Sequence, residues 1–263
     1  MDTKYGQFIR IKWETSDADG IITQASGQSE NTRLFRNLSL FLSKPAERKY
    51  LTNWSAPGGV LWSLPYKRAG EVGAAWMRIV YPHWGSNEIS SGVYDFESVL
   101  DLLKSNEPYS LDPIYASMIH NRPEFYNEHD YSFAPAYGAF NRALAITVGD
   151  RINHYEMGNE ANGPIKYIYT EIARHGAVAL RSINPDAVIG NAGTAGIDIG
   201  FLRMQAERGF FEYLDEIVTH PYTFGASPEE SKIYERYMEV NTLVDDMGGM
   251  KFHSTTEWGW PHS

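Results

Sequence analysis

The chain has 263 residues, no cysteine, and 23 lysines and arginines against 33 aspartates and glutamates, a formal net charge of -10. That balance argues against nucleic acid or an anionic membrane as partner, since both need a basic surface to neutralise phosphates, and the lack of cysteine excludes disulfides, a thiolate nucleophile and a cysteine-based zinc site. With 43% hydrophobic and 14% aromatic residues, the chain can bury a full core, and one domain plus an appendage is expected.

Met1 to Tyr5 is not followed by an apolar signal-peptide core, and no apolar run is long enough to span a bilayer. The chain therefore reads as soluble, with its compartment undetermined between secreted and cytoplasmic. Residues 1–54 read as a β-rich N-terminal segment. Ile9, Ile11 and Trp13 alternate with Arg10, Lys12 and Glu14, and Leu38, Leu40 and Leu42 alternate with polar neighbours. Asp17-Ala18-Asp19-Gly20 looks like a turn between them. Asn37-Leu38-Ser39 and Asn53-Trp54-Ser55 match the glycosylation sequon, a pattern frequent by chance.

From residue 55 to 263 strands and helices alternate, as a parallel α/β barrel demands. The expected strands are Val60–Leu64, Trp76–Tyr81, Ile114–Ile119, Ile152–Met157, Ala187–Gly190, Glu216–Thr219 and Phe252–Thr256. The clearest helix runs from Tyr167 to Ile183, with Ile168, Ile172, Ala179 and Ile183 on one face and Asn184-Pro185 as the stop. Gly190, Gly193 and Gly196 do not have dinucleotide-binding spacing, and more simply let the chain turn after the fifth strand. His120, Glu124, Glu128 and His129 match no helical zinc motif and contain Pro123 between them, so no metal and no cofactor is expected. A Ser-His-Asp hydrolase would want a Gly-x-Ser-x-Gly elbow, which is absent.

Two motifs stand out: His154-Tyr155-Glu156-Met157-Gly158-Asn159-Glu160-Ala161-Asn162-Gly163 and Ser254-Thr255-Thr256-Glu257-Trp258-Gly259-Trp260-Pro261. In each a glutamate closes a short apolar or β-branched stretch, placing Glu160 and Glu257 where strands open into loops, the active rim of α/β barrels. They lie 97 positions apart (257 minus 160), so only tertiary structure could unite them. Paired carboxylates are the minimum equipment for cleaving a glycosidic bond.

An Asn-Glu pair ending one strand and a Thr-Glu-Trp ending a later one resemble glycoside hydrolase clan A, with a flavour closest to family 39 and its neighbours. Supporting matches are Glu216-Ile217-Val218-Thr219-His220-Pro221-Tyr222, Gly73-Ala74-Ala75-Trp76-Met77-Arg78-Ile79, and Gly92-Val93-Tyr94-Asp95-Phe96 following Trp84. Together they cover roughly residues 55 to 261.

The resemblance implies an α/β fold of the TIM (β/α)8 type and a retaining hydrolase of β-linked oligo- or polysaccharide working by double displacement. It assigns Glu160 as general acid/base, protonated at rest with a raised pKa, and Glu257 as ionised nucleophile. Asn159 should hold the sugar's 2-hydroxyl, Tyr222 or His220 should orient Glu257, and Arg78 should keep it ionised. Trp258, Trp260 and Trp84 are candidates for a sugar platform, and His120 for a substrate contact.

The expected barrel lacks its final β/α unit, since six residues follow Glu257. Either the chain is a fragment, or N-terminal strands or a neighbouring subunit fill the gap, and two unpaired edges would favour a homo-oligomer. The alternative function is accordingly a non-catalytic or truncated carbohydrate-binding barrel. A polysaccharide lyase or transglycosylase is a third reading.

Overall fold

The computed structural model describes residues 74–126, 132–222, 226, 229–247 and 251–257, with short strands at 11–12, 24–25 and 50–52. Ile11–Lys12 and Gln24–Ala25 form a small antiparallel pair. Seven parallel strands follow one another in an arc: β1 (Tyr50–Thr52), β2 (Ala74–Ile79), β3 (Asp112–Ala116), β4 (His154–Glu156), β5 (Val188–Gly190), β6 (Glu216–His220) and β7 (Phe252–Thr255). Each pairs with the next in chain order, and Thr194–Ala195 extends the fifth position by pairing with the end of β6. Helices separate most of them: α1 (Glu97–Asn106), α2 (Ala134–Val148), α3 (Tyr169–Ile183), α4 (Ile199–Glu207) and α5 (Ile233–Asp246). This is the strand-then-helix order of a TIM barrel, curled into an arc.

Six of the expected strands are present with ends shifted by a few residues. The strand beside β2 is Tyr50–Thr52, within the segment expected to precede the barrel. Val60–Leu64 lies outside the described residues, as do both sequons and the Asp17–Gly20 turn. The helix expected at Tyr167–Ile183 is α3, which ends where Asn184 turns extended. It crosses α2 closely: a Cβ on Gly176 would come 2.5 Å from the Tyr137 ring, so glycine sets that interhelical spacing.

The strand registers decide which side chains enter the barrel. Arg78 lies beside Ile114, Ala116 beside Glu156, and Glu156 beside Gly190, so alternate residues share the interior face. That interior is charged as well as apolar. His154 pairs with Glu216 at one level, with the edge of Trp76 against the imidazole at 5.7 Å. Burial opposes a charge on His154, yet Glu216, together with Glu156 and Asp215, more than offsets it and leaves the imidazole pKa raised.

Trp84, a candidate sugar platform from sequence, is fully buried and packs on Tyr126, Phe133, Tyr137 and Phe140. Its indole N–H donates to Glu88, which also accepts from Tyr126 Oη at 2.7 Å and the Gly92 amide at 2.8 Å. An enclosed indole cannot stack on a sugar. Trp84 is a core residue that anchors the hairpin Glu88–Ser90 and Val93–Tyr94 over the barrel.

Candidate active site

The site assembles where β2, β4, β6 and β7 end, the C-terminal rim of the barrel. Arg78 comes from β2, 1% exposed. Its Nε donates to both oxygens of Glu156 at 3.0 Å and its Nη2 to Glu156 Oε2 at 2.7 Å. The same Nη2 reaches Asn159 Oδ1 at 2.7 Å, and Nη1 donates to Glu257 Oε1. Burial works against the guanidinium's charge, but Glu156 and Glu257 more than restore it. One arginine thus spans three of the strand ends that make the site.

After β4 the chain reverses through Gly158, at φ +115, and carries Glu160 at φ +46. A non-glycine residue there holds about 1–3 kcal/mol of backbone strain, a cost that recurs at functional sites. The Glu160 amide is fixed by Ala192 O at 2.6 Å. His220 closes the arrangement: its Nδ1 is 3.1 Å from Glu160 Oε1 and 3.9 Å from Glu257 Oε2, and its Nε2 is 3.1 Å from Thr256 Oγ1. The ring packs against the bare Cα of Gly193, φ +51, where a Cβ would stand 2.4 Å from Nε2. Tyr222 donates to Glu257 Oε2 at 2.9 Å. Its hydroxyl is pushed up to about 12 by partial burial and by Glu257, so it stays a donor.

Oxygens of Glu160 and Glu257 and a ring nitrogen of His220 all lie within 4.8 Å of one another. Glu257 is 14% exposed and Glu160 34%, so both face an accessible cleft. The Glu160 carboxyl is held below the ordinary value, chiefly by the hydrogen bond from His220 and further by the Arg78 and His120 charges, against burial. This is opposite to the raised pKa expected of a resting proton donor. The cause is that bond, which the sequence could not show.

Of the remaining candidates, His120 sits beside His83 and Glu160, and burial with neighbouring His83 lowers its pKa. Trp258 and Trp260 lie outside the described residues, as do Glu128 and His129. Gly193 and Gly196, φ +68, make the turn expected after β5. Sequence reasoning missed Glu156, the buried partner of Arg78, and Thr256, the partner of His220. Period-two alternation through His154, Tyr155 and Glu156 was the available signal, since it puts two ionisable residues on one strand face.

No protein-family model and no curated protein matches this chain. Solved structures do match, and they are clan A glycoside hydrolases. A family 39 glycoside hydrolase from Bacteroides cellulosilyticus WH2 superposes with TM-score 0.68 at 17% identity over 81% of this chain and 50% of that one. A GH39 β-xylosidase from Caulobacter crescentus gives TM-score 0.60 at 17% identity over 82% of this chain and 55% of that one. A GH10 xylanase from Bispora sp. MEY-1, solved with xylobiose, gives TM-score 0.60 at 13% identity over 75% and 70%. The likeness is one of fold, the fold implied by the two glutamate motifs, and the chain spans about half the length of these family 39 structures. No described helix is long and apolar enough to cross a membrane.

Proposed function

We propose that the chain is the catalytic part of a retaining glycoside hydrolase acting on β-linked oligo- or polysaccharide. The observation that carries this reading is the opposition of Glu160 and Glu257 across less than 4.8 Å at the barrel rim. That is the close spacing of retaining enzymes, whose carboxyls stand about 5–5.5 Å apart, not the wider gap of inverting ones. The xylosidase and xylanase among the structural neighbours make β-linked xylosides the first substrates to try.

In the first step Glu257 attacks the anomeric carbon, the bond to the aglycone oxygen breaks, and Glu160 gives that oxygen its proton. In the second, Glu160 takes a proton from water, the water oxygen bonds to the anomeric carbon, and Glu257 leaves with its electron pair. Arg78 and Tyr222 hold the two Glu257 oxygens and aim the nucleophile. Asn159, its Oδ1 taken by Arg78, offers its amide N–H to a sugar hydroxyl. Glu160 must be protonated to donate, and a sugar that draws its carboxylate off His220 and covers its exposed third moves its pKa upward, because loss of that hydrogen bond and of solvent both penalise the anion.

The lowered Glu160 pKa is the observation that favours a second reading, a carbohydrate-binding barrel without turnover. Hydrolysis of aryl β-glycosides and xylan by wild type, Glu160→Gln and Glu257→Gln separates the two. The catalytic reading expects Glu257→Gln to be inactive on everything. Glu160→Gln should lose about 10²–10⁴-fold on substrates whose leaving group needs a proton, and far less on activated aryl glycosides. Wild-type chain that binds xylo-oligosaccharides yet cleaves no glycoside would establish the binding barrel.

A further inference from the structure

The groups at the rim support a second kind of ligand. His220 offers a fully buried imidazole whose Nδ1 faces both glutamates, at 3.1 Å from Glu160 Oε1 and 3.9 Å from Glu257 Oε2. Zinc holds nitrogen and oxygen ligands at about 2.0–2.2 Å, which in a tetrahedron sets them about 3.3–3.6 Å from one another. The two separations from His220 bracket that spacing and the three donor atoms lie within 4.8 Å of one another, so small carboxylate rotations close them onto one ion. Among the described residues this is the cluster of three or more ionisable side chains with metal-ligand spacing.

We propose that Glu160, His220 and Glu257 bind one divalent transition metal of the zinc class, and that this ion occupies the space a glycoside would need, so metal and substrate exclude each other. The site would be inhibitory, with no part in the hydrolytic steps. One imidazole and two carboxylates suit zinc or copper, whereas calcium takes six to eight oxygens and magnesium keeps its waters.

Four features of the surroundings favour the ion. For Nδ1 to bind metal the ring proton must sit on Nε2, and Thr256 Oγ1 stands 3.1 Å away to accept it. Such an outer hydrogen bond fixes the ring and its tautomer in metal sites. Gly193 presses on the ring and keeps it from swinging away. Arg78 and Tyr222 each use one lone pair on a Glu257 oxygen, which leaves another on each. Finally, three carboxyls, Glu156, Glu160 and Glu257, lie about the Arg78 guanidinium, so when they are ionised they outnumber its charge by an excess that a dication offsets. The fourth tetrahedral position opens toward the cleft through partly exposed Glu160.

Zinc binding to the whole chain, read by calorimetry and by X-ray absorption at the zinc edge, tests this without reference to turnover. One zinc per chain is expected, with one nitrogen and two protein oxygens at about 2.0–2.2 Å. Glu160→Gln and His220→Gln should each weaken binding at least tenfold, and Thr256→Val by about 10–100-fold, the usual effect of losing an outer hydrogen bond. Should buried His220→Gln fail to fold, partly exposed Glu160→Gln still carries the comparison. In a hydrolytically active chain, zinc should raise KM for an aryl glycoside and leave kcat unchanged. No binding up to about 1 mM zinc, or equal binding by wild type and Glu160→Gln, overturns the site. Hydrolysis without zinc binding would leave the glycosidase reading standing and remove this one, and zinc binding without hydrolysis would do the reverse.

Discussion

Arg78→Met tests how the barrel's centre is held together. The substitution keeps most of the side-chain bulk and deletes the guanidinium, which makes three hydrogen bonds to Glu156 at 2.7–3.0 Å, one to Asn159 at 2.7 Å and one to Glu257. Glu156 is 0% exposed, so it would remain buried with neither counter-charge nor that donor. Removing one partner of such a pair costs about 3–5 kcal/mol. At about 2–4 °C per kcal/mol for a chain of this size, the melting temperature should fall by roughly 6–20 °C. Urea unfolding followed by tryptophan fluorescence gives the free energy directly. The double variant Arg78→Met with Glu156→Gln should recover part of the loss, because replacing both members of a buried pair is far milder than orphaning one. A single-variant loss under about 1 kcal/mol, or a double variant showing the plain sum of both losses, would refute the claim that the pair is a buried coupled unit.

Trp84→Ala should cost about 3–5 kcal/mol of stability, as emptying a fully enclosed aromatic site does, with KM for glycosides unchanged in steady-state assays at low temperature. A stable variant with a raised KM would return Trp84 to the sugar site. Gly193→Ala places a methyl 2.4 Å from His220 Nε2 at a backbone φ of +51, so kcat/KM should drop by more than tenfold while calorimetric melting shifts by only a few degrees, in line with about 1–3 kcal/mol of strain. His253 is pushed down to about 3 by burial, whereas unfolded chain titrates near 6.5. The folded state thus excludes a proton the unfolded one accepts. Its contribution to stability is intact above about pH 6.5 and declines on acidification by at most about 1.4 kcal/mol per pH unit until about pH 3. Urea midpoints from pH 7 to 4 should flatten in His253→Gln relative to wild type, and parallel curves would contradict the assignment.

Strands with apolar runs bounded by glycine, proline or asparagine were legible in the sequence, and six of them appear within a few residues of their expected places. The strand beside β2 was not, because Tyr50-Leu51-Thr52 is three residues long and gives alternation too little length to register. The motif residues Glu160, Glu257, Arg78, Asn159, His220 and Tyr222 converge because each stands at or just beyond a strand end on the same rim. What they do to one another was not legible. Arg78 and Glu156 lie 78 positions apart, and nothing local marks one as the partner of the other. The direction of the Glu160 pKa hangs on a His220 contact across 60 positions, set by a loop after β4 and the end of β6 together. Trp84 misled for a related reason: its neighbours gave the position of a loop but not which way its indole faces.

The five residues from Glu156 to Glu160 show how the fold is turned into a site. Glu156 still follows the strand period and points into the barrel, where Arg78 pins it. Gly158 breaks the period, and beyond it Asn159 returns to the same guanidinium while Glu160 turns up beside His220. The left-handed backbone at Glu160 could be relieved by glycine, and a loop selected only for stability would favour that residue. A glutamate persists in the strained position with its amide tied to Ala192 and its carboxyl tied to His220. The two glutamates are therefore supported differently: Glu257 shares the cation that also holds the barrel's interior, whereas the partly exposed Glu160 carboxyl hangs on a hydrogen bond to His220 that it can leave. A proton carrier needs that freedom, since it must exchange partners twice in each turnover, and a nucleophile that returns to one geometry does not. This asymmetry of support agrees with the acid/base role proposed for Glu160 and the nucleophilic role proposed for Glu257.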